Sequence, residues 1–440
     1  MKRFIETIRN IFKIEELRKR ILYTIGILLI YRFGCFVVIP GIDPNALTAL
    51  ADQTSGNGLM GLLNIFSGGA FSNASIFALG VMPYISASII MQLLGMVIPY
   101  FQRMNKEGES GRRKMNQWTR YLTIVVVLLQ GWAYIANLYR ELPGEAFVLG
   151  ADSFIFKLSA IIVLLAGTMF VMWLGEKITD KGLGNGVSLI IMVGIVARLP
   201  FAIWGELMMR LNGVGGIIMF IVEIVILYLI FMATIALVQA TRKIPVQYAK
   251  RIVGNKQYGG VRQYIPLKIN AANVMPIIFA QALMMLPMLF GRWEATRGFA
   301  ATFSNMYGFW YNLVFAALVI LFTYFYTAII VNSTTMADEL KRNGGFIPGV
   351  KPGKETARYI DAIMTRITLP GSIFLAIVAI LPAFAAKLGI SQQFSLFFGG
   401  TSLLILVGVI LDTLKQIESY LLLRHYDGLM KTGRIKGRNG

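Results

Sequence analysis

Cysteine and histidine are almost absent from this sequence, which has one residue of each type, Cys35 and His425, among 440. A disulfide bond within the chain is therefore excluded. A zinc or haem site built from histidine and cysteine is not expected either, because such a site needs several of these ligands together.

Residue sets that carry catalysis are missing too. The sequence contains no Ser/His/Asp set, no pair of carboxylates spaced for acid–base chemistry and no metal-ligand cluster. The "GLGNG" stretch at 182–186 superficially resembles a nucleotide-binding loop, but no strand precedes it and it opens an apolar segment. We therefore expect neither an enzyme nor a cofactor.

Charged residues are scarce. They make up 15% of the chain, whereas 56% of the residues are hydrophobic and the mean hydropathy is +0.65. A soluble domain would need more charge to cover its surface. The composition and the long apolar runs predict an all-α polytopic membrane protein.

Ten apolar segments are predicted to cross the membrane as helices. These spans are predicted at 21–40, 74–98, 118–138, 154–175, 187–205, 214–238, 272–290, 310–332, 367–386 and 397–414.

Further segments surround and divide these spans. Residues 1–20 have the basic, amphipathic pattern of a helix on the membrane surface, and 415–440 are a tail. The connection 206–213 is a natural hinge between two halves, 21–205 and 214–414. Since each half has an odd number of spans, a repeat between the halves would be inverted.

Basic residues indicate the orientation. The chain has 42 Lys and Arg against 22 Asp and Glu. The excess lies in the N-terminal arm, in the loops 99–120, 239–271 and 333–366, and in the tail. Loops rich in Lys and Arg stay in the cytoplasm, so both termini are predicted to be cytoplasmic.

Two of these basic loops are large. The loop 239–271 holds seven basic residues and no acidic one, and its alternating pattern predicts a hairpin with a turn at Gly254–Asn255. In the loop 333–366, the "PGVKPG" run predicts a rigid turn that presents Lys351. Such positive loops suit an anionic partner such as RNA or an acidic protein surface, although setting the topology is an alternative role.

Ionisable and polar residues inside the spans are candidate functional groups. Arg32, Lys157 and Glu223 are ionisable, and we expect structural roles for them, with Arg32 binding backbone carbonyls. Ser86, Gln130 and Asn270 are polar, and ordinary helix packing accounts for them unless other information is added.

Two pairs of apolar residues, Val81 with Ile85 and Val187 with Ile191, are spaced to share a helix face. From spacing alone they are core or lipid-facing positions.

One apolar stretch fits neither a spanning helix nor a surface loop. The residues "LMGLLNIFSGGAFSNASIFALGVMPY" at 59–84 are interrupted by Ser-Gly-Gly at 67–69. The predicted topology puts this stretch on the outer side, between the first two spans.

Several long motifs, in order along the chain, resemble the bacterial SecY family. They are "IPGID" (39–43), "NIFSGGAFSNASIFALGVMPYISASIIMQLL" (64–94), "KEGESGRRK" (106–114), "TRY" (119–121), "MWLGEKITDKGLGNG" (172–186), "YAKR" (248–251), "PLKIN" (266–270), "ADELK" (337–341), "PGVKPG" (348–353) and "GGTSLLI" (399–405).

This resemblance implies a fold of two inverted five-helix halves that form a clamshell around an hourglass pore. A lateral gate would lie between the second and third helices and the seventh and eighth, and the polar residues Ser86, Gln130 and Asn270 would lie near it. A ring of apolar side chains would form the constriction of the pore. Mapped by motif, the ring residues are Val81, Ile85, Val187, Ile191, Ile278 and Ile405.

The resemblance also gives the interrupted stretch a role. The second span would begin at about Ser75, and residues at about 61–71 would form a plug that blocks the pore from outside. The plug residues are Gly61, Leu62, Leu63, Asn64, Ile65, Phe66, Ser67, Gly68 and Gly69.

The function that the resemblance implies is that of a protein-conducting channel in the cell inner membrane. It would translocate unfolded secretory polypeptides and release signal or transmembrane helices into the lipid bilayer. The implied partners are the membrane subunits SecE and SecG, the motor ATPase SecA, the ribosome through rRNA and proteins at its exit tunnel, and insertase and accessory Sec factors. The docking residues would be Arg242, Lys243, Lys250, Arg251, Lys256 and Lys351.

An alternative interpretation is an inverted-repeat secondary transporter for a small solute. It explains ten spans and an interrupted helix. It does not explain two large basic loops, or the lack of acidic residues at mid-membrane.

Overall fold

A computed structural model describes residues 14–47, 64–142, 146–147, 154–213, 215–248, 251–253, 256–258, 262–284, 303 and 305–432. It contains helices and a few short strands. The helices are α1 (Glu15–Gly34), α2 (Met82–Val97), α3 (Pro99–Lys106), α4 (Glu109–Glu141), α5 (Phe154–Lys181), α6 (Gly186–Asn212), α7 (Gly216–Gln239), α8 (Met275–Met284), α9 (Phe309–Ile330), α10 (Ser333–Arg342), α11 (Lys354–Lys387), α12 (Gln392–Ser395) and α13 (Gly400–Thr432). The strands are β1 (Thr241–Tyr248), β2 (Arg251–Val253), β3 (Lys256–Tyr258), β4 (Arg262–Lys268) and β5 (Gly345–Phe346).

The prediction of a helical, multi-pass membrane protein is confirmed. Within the described residues, seven helices are long and apolar enough to cross a membrane. They are α4, α5, α6, α7, α9 with its continuation into α10, α11 and α13. Each of the ten predicted spans overlaps a helix, and the count of ten crossings stays a prediction.

Two helix starts differ from the prediction. Helix α1 begins at Glu15, so residues 15–20 belong to the same helix as the first span; residues 1–13 of the predicted amphipathic helix lie outside the described part. Helix α2 begins at Met82 rather than near Ser75. Ala74 and Gly80 have positive φ angles of 42° and 53°, which a right-handed helix does not allow.

The chain divides into two compact units, Met1–Phe201 with Val409–Gly440, and Ala202–Gly408. In the first unit, a buried core joins the segment after α1 to α4 and α5. Backbone bonds from Ile39 to Ala74 (2.9 Å) and from Ile76 to Val37 (2.9 Å) attach the 74–76 segment to the chain that follows α1.

The second unit carries the basic loops and a buried ionic cluster. The connection 206–213, predicted as a hinge, is mostly helical, because α6 continues through Asn212; its role as a hinge stays a prediction. Arg210 stabilises this last turn: its guanidinium binds Glu206 at 3.0 Å and Glu223 at 2.6 Å, and donates to the Gly389 carbonyl at 2.8 Å. The structural role expected of Glu223 is thus confirmed by its ion pair with Arg210.

The two large basic loops share one sheet. Strand β1 pairs with β4 on one side and with β5 of the second loop on the other, in the order β4-β1-β5. Strands β2 and β3 form the hairpin that the sequence predicts, since Val253 pairs with Lys256 across residues 254–255. Strand β5, which is only two residues long, was not predicted.

Candidate pore, plug and docking surface

The described part of the interrupted stretch, residues 64–84, is largely buried in the first unit. Residues 64–66 form a helical turn, and turns continue to residue 81, where α2 begins. Gly68 and Gly69 have φ angles of +65° and +93°, a left-handed conformation that glycine adopts without strain. The Ser-Gly-Gly break is therefore a sharp turn that folds the stretch back. Of the predicted plug residues, Gly61, Leu62 and Leu63 lie outside the described part.

Apolar and polar contacts both hold this turn. The apolar residues Ile65 and Phe66 are buried, at 6% and 8% exposure. The polar residues Asn64 and Ser67 are buried as well. The polar groups have partners: Asn64 accepts a bond from the Ser72 amide at 3.1 Å, and the Ser67 hydroxyl donates to the Asn64 carbonyl at 3.2 Å. The turn thus satisfies its own polar groups inside an apolar environment.

Three helices supply hydrogen bonds to the stretch. From α1, the Tyr31 hydroxyl donates to the Ser67 carbonyl at 3.2 Å, and Arg32 donates to the Gly68 carbonyl. From α4, the Tyr134 hydroxyl donates to the Phe71 carbonyl at 2.9 Å. The predicted role of Arg32, binding backbone carbonyls, is confirmed.

The third helix is α6, and its contribution was not predicted. Arg198 donates from Nη2 to Asn64 Oδ1 at 3.2 Å and to Ser72 Oγ at 2.9 Å. No role was predicted for Arg198, although it lies within the predicted span 187–205. One signal could have identified it. An arginine inside a long apolar segment needs a polar partner, and the break at 67–69 is a polar segment elsewhere in the chain.

Of the predicted ring residues of the first unit, Val81 lies at the end of this stretch, Ile85 lies on α2, and Val187 and Ile191 lie on α6. Val81 is 3% exposed and accepts the backbone bond of Ile85 at 3.0 Å, so the i,i+4 relation holds although Val81 precedes α2. Val187 and Ile191 lie in the first two turns of α6, half-buried and buried respectively.

The ring residues predicted in the second unit lie on two helices. Ile278 is half-buried on α8, and Ile405 is buried at 8% exposure on α13.

The polar residues assigned to a lateral gate are found on two pairs of packed helices. Ser86 on α2 and Gln130 on α4 are half-buried, and these helices pack against each other. Asn270 precedes α8, which packs against α9. Its amide donates to the Asn273 carbonyl at 3.3 Å, while its own oxygen, among the described residues, is buried without a partner. A buried acceptor without a hydrogen-bond partner costs free energy of desolvation, so it lowers the local stability.

Two of the predicted docking residues, Arg242 and Lys243, lie on strand β1 of the three-stranded sheet. Both are exposed, whereas Ile244 and Val246 on the same strand are buried. These two apolar residues belong to a core formed with β4, α10 and α11. The sheet is therefore a platform that packs on an apolar core and carries exposed basic residues at the start of β1.

Lys351 lies on an exposed turn beside this platform. Its carbonyl accepts a bond from the Thr356 hydroxyl at 2.9 Å, which ties the turn to the start of α11. Of the other docking candidates, Arg251 and Lys256 belong to β2 and β3, and Lys250 lies outside the described residues. The side chains of Arg251 and Lys256 are likewise not described.

Comparisons with known proteins agree on one family. A profile described as SecY matches residues 75–414. The protein translocase subunit SecY of Streptomyces scabiei is 44% identical over 432 residues, which cover 96% of this chain and 98% of that protein. The protein of the same name from Chlamydia trachomatis is 40% identical over 455 residues, covering 98% and 99%.

Solved structures show the same fold. One described as "The structure of a protein conducting channel" matches with a TM-score of 0.59 at 17% identity, covering 96% of this chain and 95% of that one. Another, "Sec61 in the Canine ribosome-channel complex from the endoplasmic reticulum", matches with a TM-score of 0.55 at 16% identity and covers 96% and 95%.

Proposed function

Because the chain belongs to the SecY family, we propose that it is the channel subunit of a protein translocase. It moves unfolded secretory polypeptides across a membrane and releases hydrophobic helices sideways into lipid. The resemblance that the sequence motifs indicated is confirmed. The relatives are translocase subunits, which favours the channel over a transporter for small solutes.

One observation carries the assignment of a plug. The buried turn packs directly beside two of the predicted ring walls. Ser67 lies against Gly80, whose added Cβ would be 3.5 Å from the Ser67 Cα, and Gly80 precedes Val81. Gly194, three residues after Ile191 and so on the same face of α6, contacts Gly68. A plug under an apolar ring requires this arrangement.

The proposed ring closes the channel through its apolar surface. A narrow apolar constriction loses its water readily, and ions do not cross it when it is dry. Aliphatic side chains can also adapt around a passing polypeptide. The pore thus needs no charged gate to keep ions out.

Lateral release follows from the hydrophobic effect. A signal helix gains about 0.8 kcal/mol for each CH₂ group that leaves water for lipid. A seam closed by a few polar contacts, each contributing about 1 kcal/mol, opposes this gain only weakly. Ser86, Gln130 and Asn270 are the proposed contacts of that seam. A polar segment gains nothing from lipid and crosses the membrane instead.

The energy for transport comes from a partner. We propose that SecA or the translating ribosome docks on the sheet platform and on the Lys351 turn, and that SecE and SecG complete the membrane complex. RNA and proteins at the ribosomal exit tunnel, insertase and accessory Sec factors are further partners. The exposed positive charges of Arg242 and Lys243 at the start of β1 support an anionic partner.

The proposed location is the cell inner membrane, with both termini in the cytoplasm. The distribution of basic loops supports this orientation. It places the docking platform on the cytoplasmic side, where SecA and ribosomes work, and the plug on the outer side. Two inverted halves, 21–205 and 214–414, complete the proposed architecture.

Reconstitution tests the proposed function. The purified chain with SecE-like and SecG-like subunits is placed in lipid vesicles, and SecA, ATP and a secretory preprotein are added. We expect the preprotein to become protected from protease inside the vesicles. Uptake of small solutes without any protected polypeptide would contradict the channel and support the transporter.

A further inference from the structure

We propose that Arg198, assisted by Arg32, is a latch that holds the plug turn in the closed channel. The proposal rests on the proposed function of residues 64–69 as part of a plug, and it adds the residues that keep the plug in place. All of the contacts described below lie within the first compact unit.

The guanidinium of Arg198 joins the two ends of the Gly-Gly turn. Its Nη2 donates to the side-chain oxygen of Asn64, before the turn, and to the hydroxyl of Ser72, after it, at 3.2 and 2.9 Å. Asn64 Oδ1 also accepts the Ser72 amide at 3.1 Å. Three hydrogen bonds from two donors, Arg198 Nη2 and the Ser72 amide, therefore converge on one side-chain oxygen and one hydroxyl.

Arg32 holds the middle of the same turn from a different helix. It donates to the Gly68 carbonyl, and its guanidinium lies over the Phe36 ring, 5.0 Å from the ring centre. The stacked ring fixes the position of the guanidinium. The turn is consequently held by α1 at its centre and by α6 at its ends.

Gly69 leaves room for this arrangement. A Cβ at Gly69 would lie 2.5 Å from Nη2 of Arg198 and 2.9 Å from its Cζ. Any side chain at this position would therefore push the guanidinium away from Asn64 and Ser72. The guanidinium of Arg198 fills the space beside Gly69, so it can reach the turn only because position 69 has no side chain.

The chemistry of the contacts suits a latch that must open. Hydrogen bonds from a charged donor are about twice as strong as neutral ones, so they hold the turn in a dry environment. The acceptors are neutral: an amide oxygen, a hydroxyl and a carbonyl. Water can replace each of them when a polypeptide enters, whereas a buried ion pair would be harder to separate.

The central variant is Arg198→Met, which keeps an unbranched side chain about as long as the aliphatic stem of arginine and removes the donors. Ion leak through reconstituted vesicles without a substrate is measured, together with transport of a preprotein that has a defective signal sequence. We expect both to rise, with an open fraction increased on the order of tenfold, the ratio that one lost bond of this kind corresponds to. Arg140→Met, at an exposed arginine on α4, is the matched control and is expected to leave both unchanged.

A second variant changes the latch in the opposite direction. Asn64→Asp gives Arg198 a charged acceptor of nearly the same shape. We expect a lower resting leak than in the native protein and a stricter requirement for a functional signal. This result cannot come from general destabilisation, so it keeps the proposal testable if Arg198→Met fails to fold.

Deletion of residues 61–66 distinguishes a failure of the latch proposal from a failure of the plug proposal. If the deletion leaks and Arg198→Met does not, the latch is overturned while the plug stands. A deletion that does not leak overturns the plug and the latch together. Unchanged or increased leak in Asn64→Asp also overturns the latch.

Discussion

Gly68 and Gly194 meet backbone to backbone. A Cβ added to Gly194 would lie 3.1 Å from the Gly68 nitrogen and 3.2 Å from its Cα, closer than side chains ordinarily pack. This contact seats the turn of the proposed plug on α6, one turn of helix from Ile191. Any side chain at position 194 would therefore require the turn at Gly68 to shift by a few tenths of an ångström.

Replacing Gly194 by leucine is expected to displace the turn. The added side chain cannot be accommodated against Gly68 and the Phe66 carbonyl, and overpacking of this kind costs about 1–3 kcal/mol. We predict a higher resting ion leak in vesicles. Gly205→Leu on the same helix is the control, because a Cβ there meets nothing within 4 Å. Equal leak in both variants would show that the contact does not keep the channel shut.

The apolar ring is tested by Ile405→Asn. Asparagine brings a hydrated amide into a constriction that excludes ions by being dry, so ion leak should rise and signal selectivity should relax. Ile405→Leu keeps the apolar character and should behave like the native protein. Unchanged leak and unchanged stringency in the asparagine variant would remove Ile405 from the ring.

Docking through the two large basic loops is tested by reversing one charge in each of them, Arg251→Glu together with Lys351→Glu. We expect weaker binding of SecA or ribosomes, because both partners are proposed to bind the positive loops electrostatically, and the loss should be largest at low salt. Arg112→Glu with Lys415→Glu changes the net charge equally at exposed sites outside both loops. Normal affinity in the first pair, measured by co-sedimentation, would refute docking through these loops.

The buried cluster around Arg210 is predicted to be sensitive to the loss of one partner. Arg210→Met leaves the carboxylates of Glu206 and Glu223 buried without their cation, and loss of one partner of a buried pair costs about 3–5 kcal/mol. Thermal unfolding in detergent should show a large loss of stability.

An exposed ion pair gives the comparison. Arg358 binds Glu355 at 3.1 Å, and the Arg358 side chain is 78% exposed. Changing Arg358 to methionine should lower the free energy of unfolding by about 1 kcal/mol or less. Restoring neutrality in the cluster with Glu206→Gln and Glu223→Gln, added to Arg210→Met, should recover part of the stability. If Arg210→Met and Arg358→Met unfold alike, the buried cluster does not stabilise the end of α6.

Long apolar patterns made the helices predictable, because burial in lipid or core dominates their energetics. Boundaries set by backbone conformation were not predictable to the same degree. The positive φ angles at Ala74 and Gly80 delay α2 to Met82, and nothing in the hydropathy of that segment indicates this. In the same way, the Glu206–Arg210 pair extends α6 through a segment that looked like a connection.

Contacts between distant parts of the chain explain the rest. Arg198 and Asn64 are separated by 134 positions, so no local pattern could pair them. Strand β5 is only two residues long and exists because β1 offers it an edge. The family motifs, in contrast, predicted the fold correctly, and they are the basis on which residues 64–69 are proposed as part of a plug.

The most direct test of the protein-conducting channel is the path of the polypeptide itself. A photo-reactive group is placed at Ile85, a proposed ring residue, and in a separate protein at Ile218, which is 78% exposed on α7. A secretory chain is then stalled during transport. We predict crosslinks from Ile85 to the mature part of the chain and none from Ile218. Crosslinking at Ile218 alone, or none at Ile85 while transport proceeds, would contradict passage through the ring.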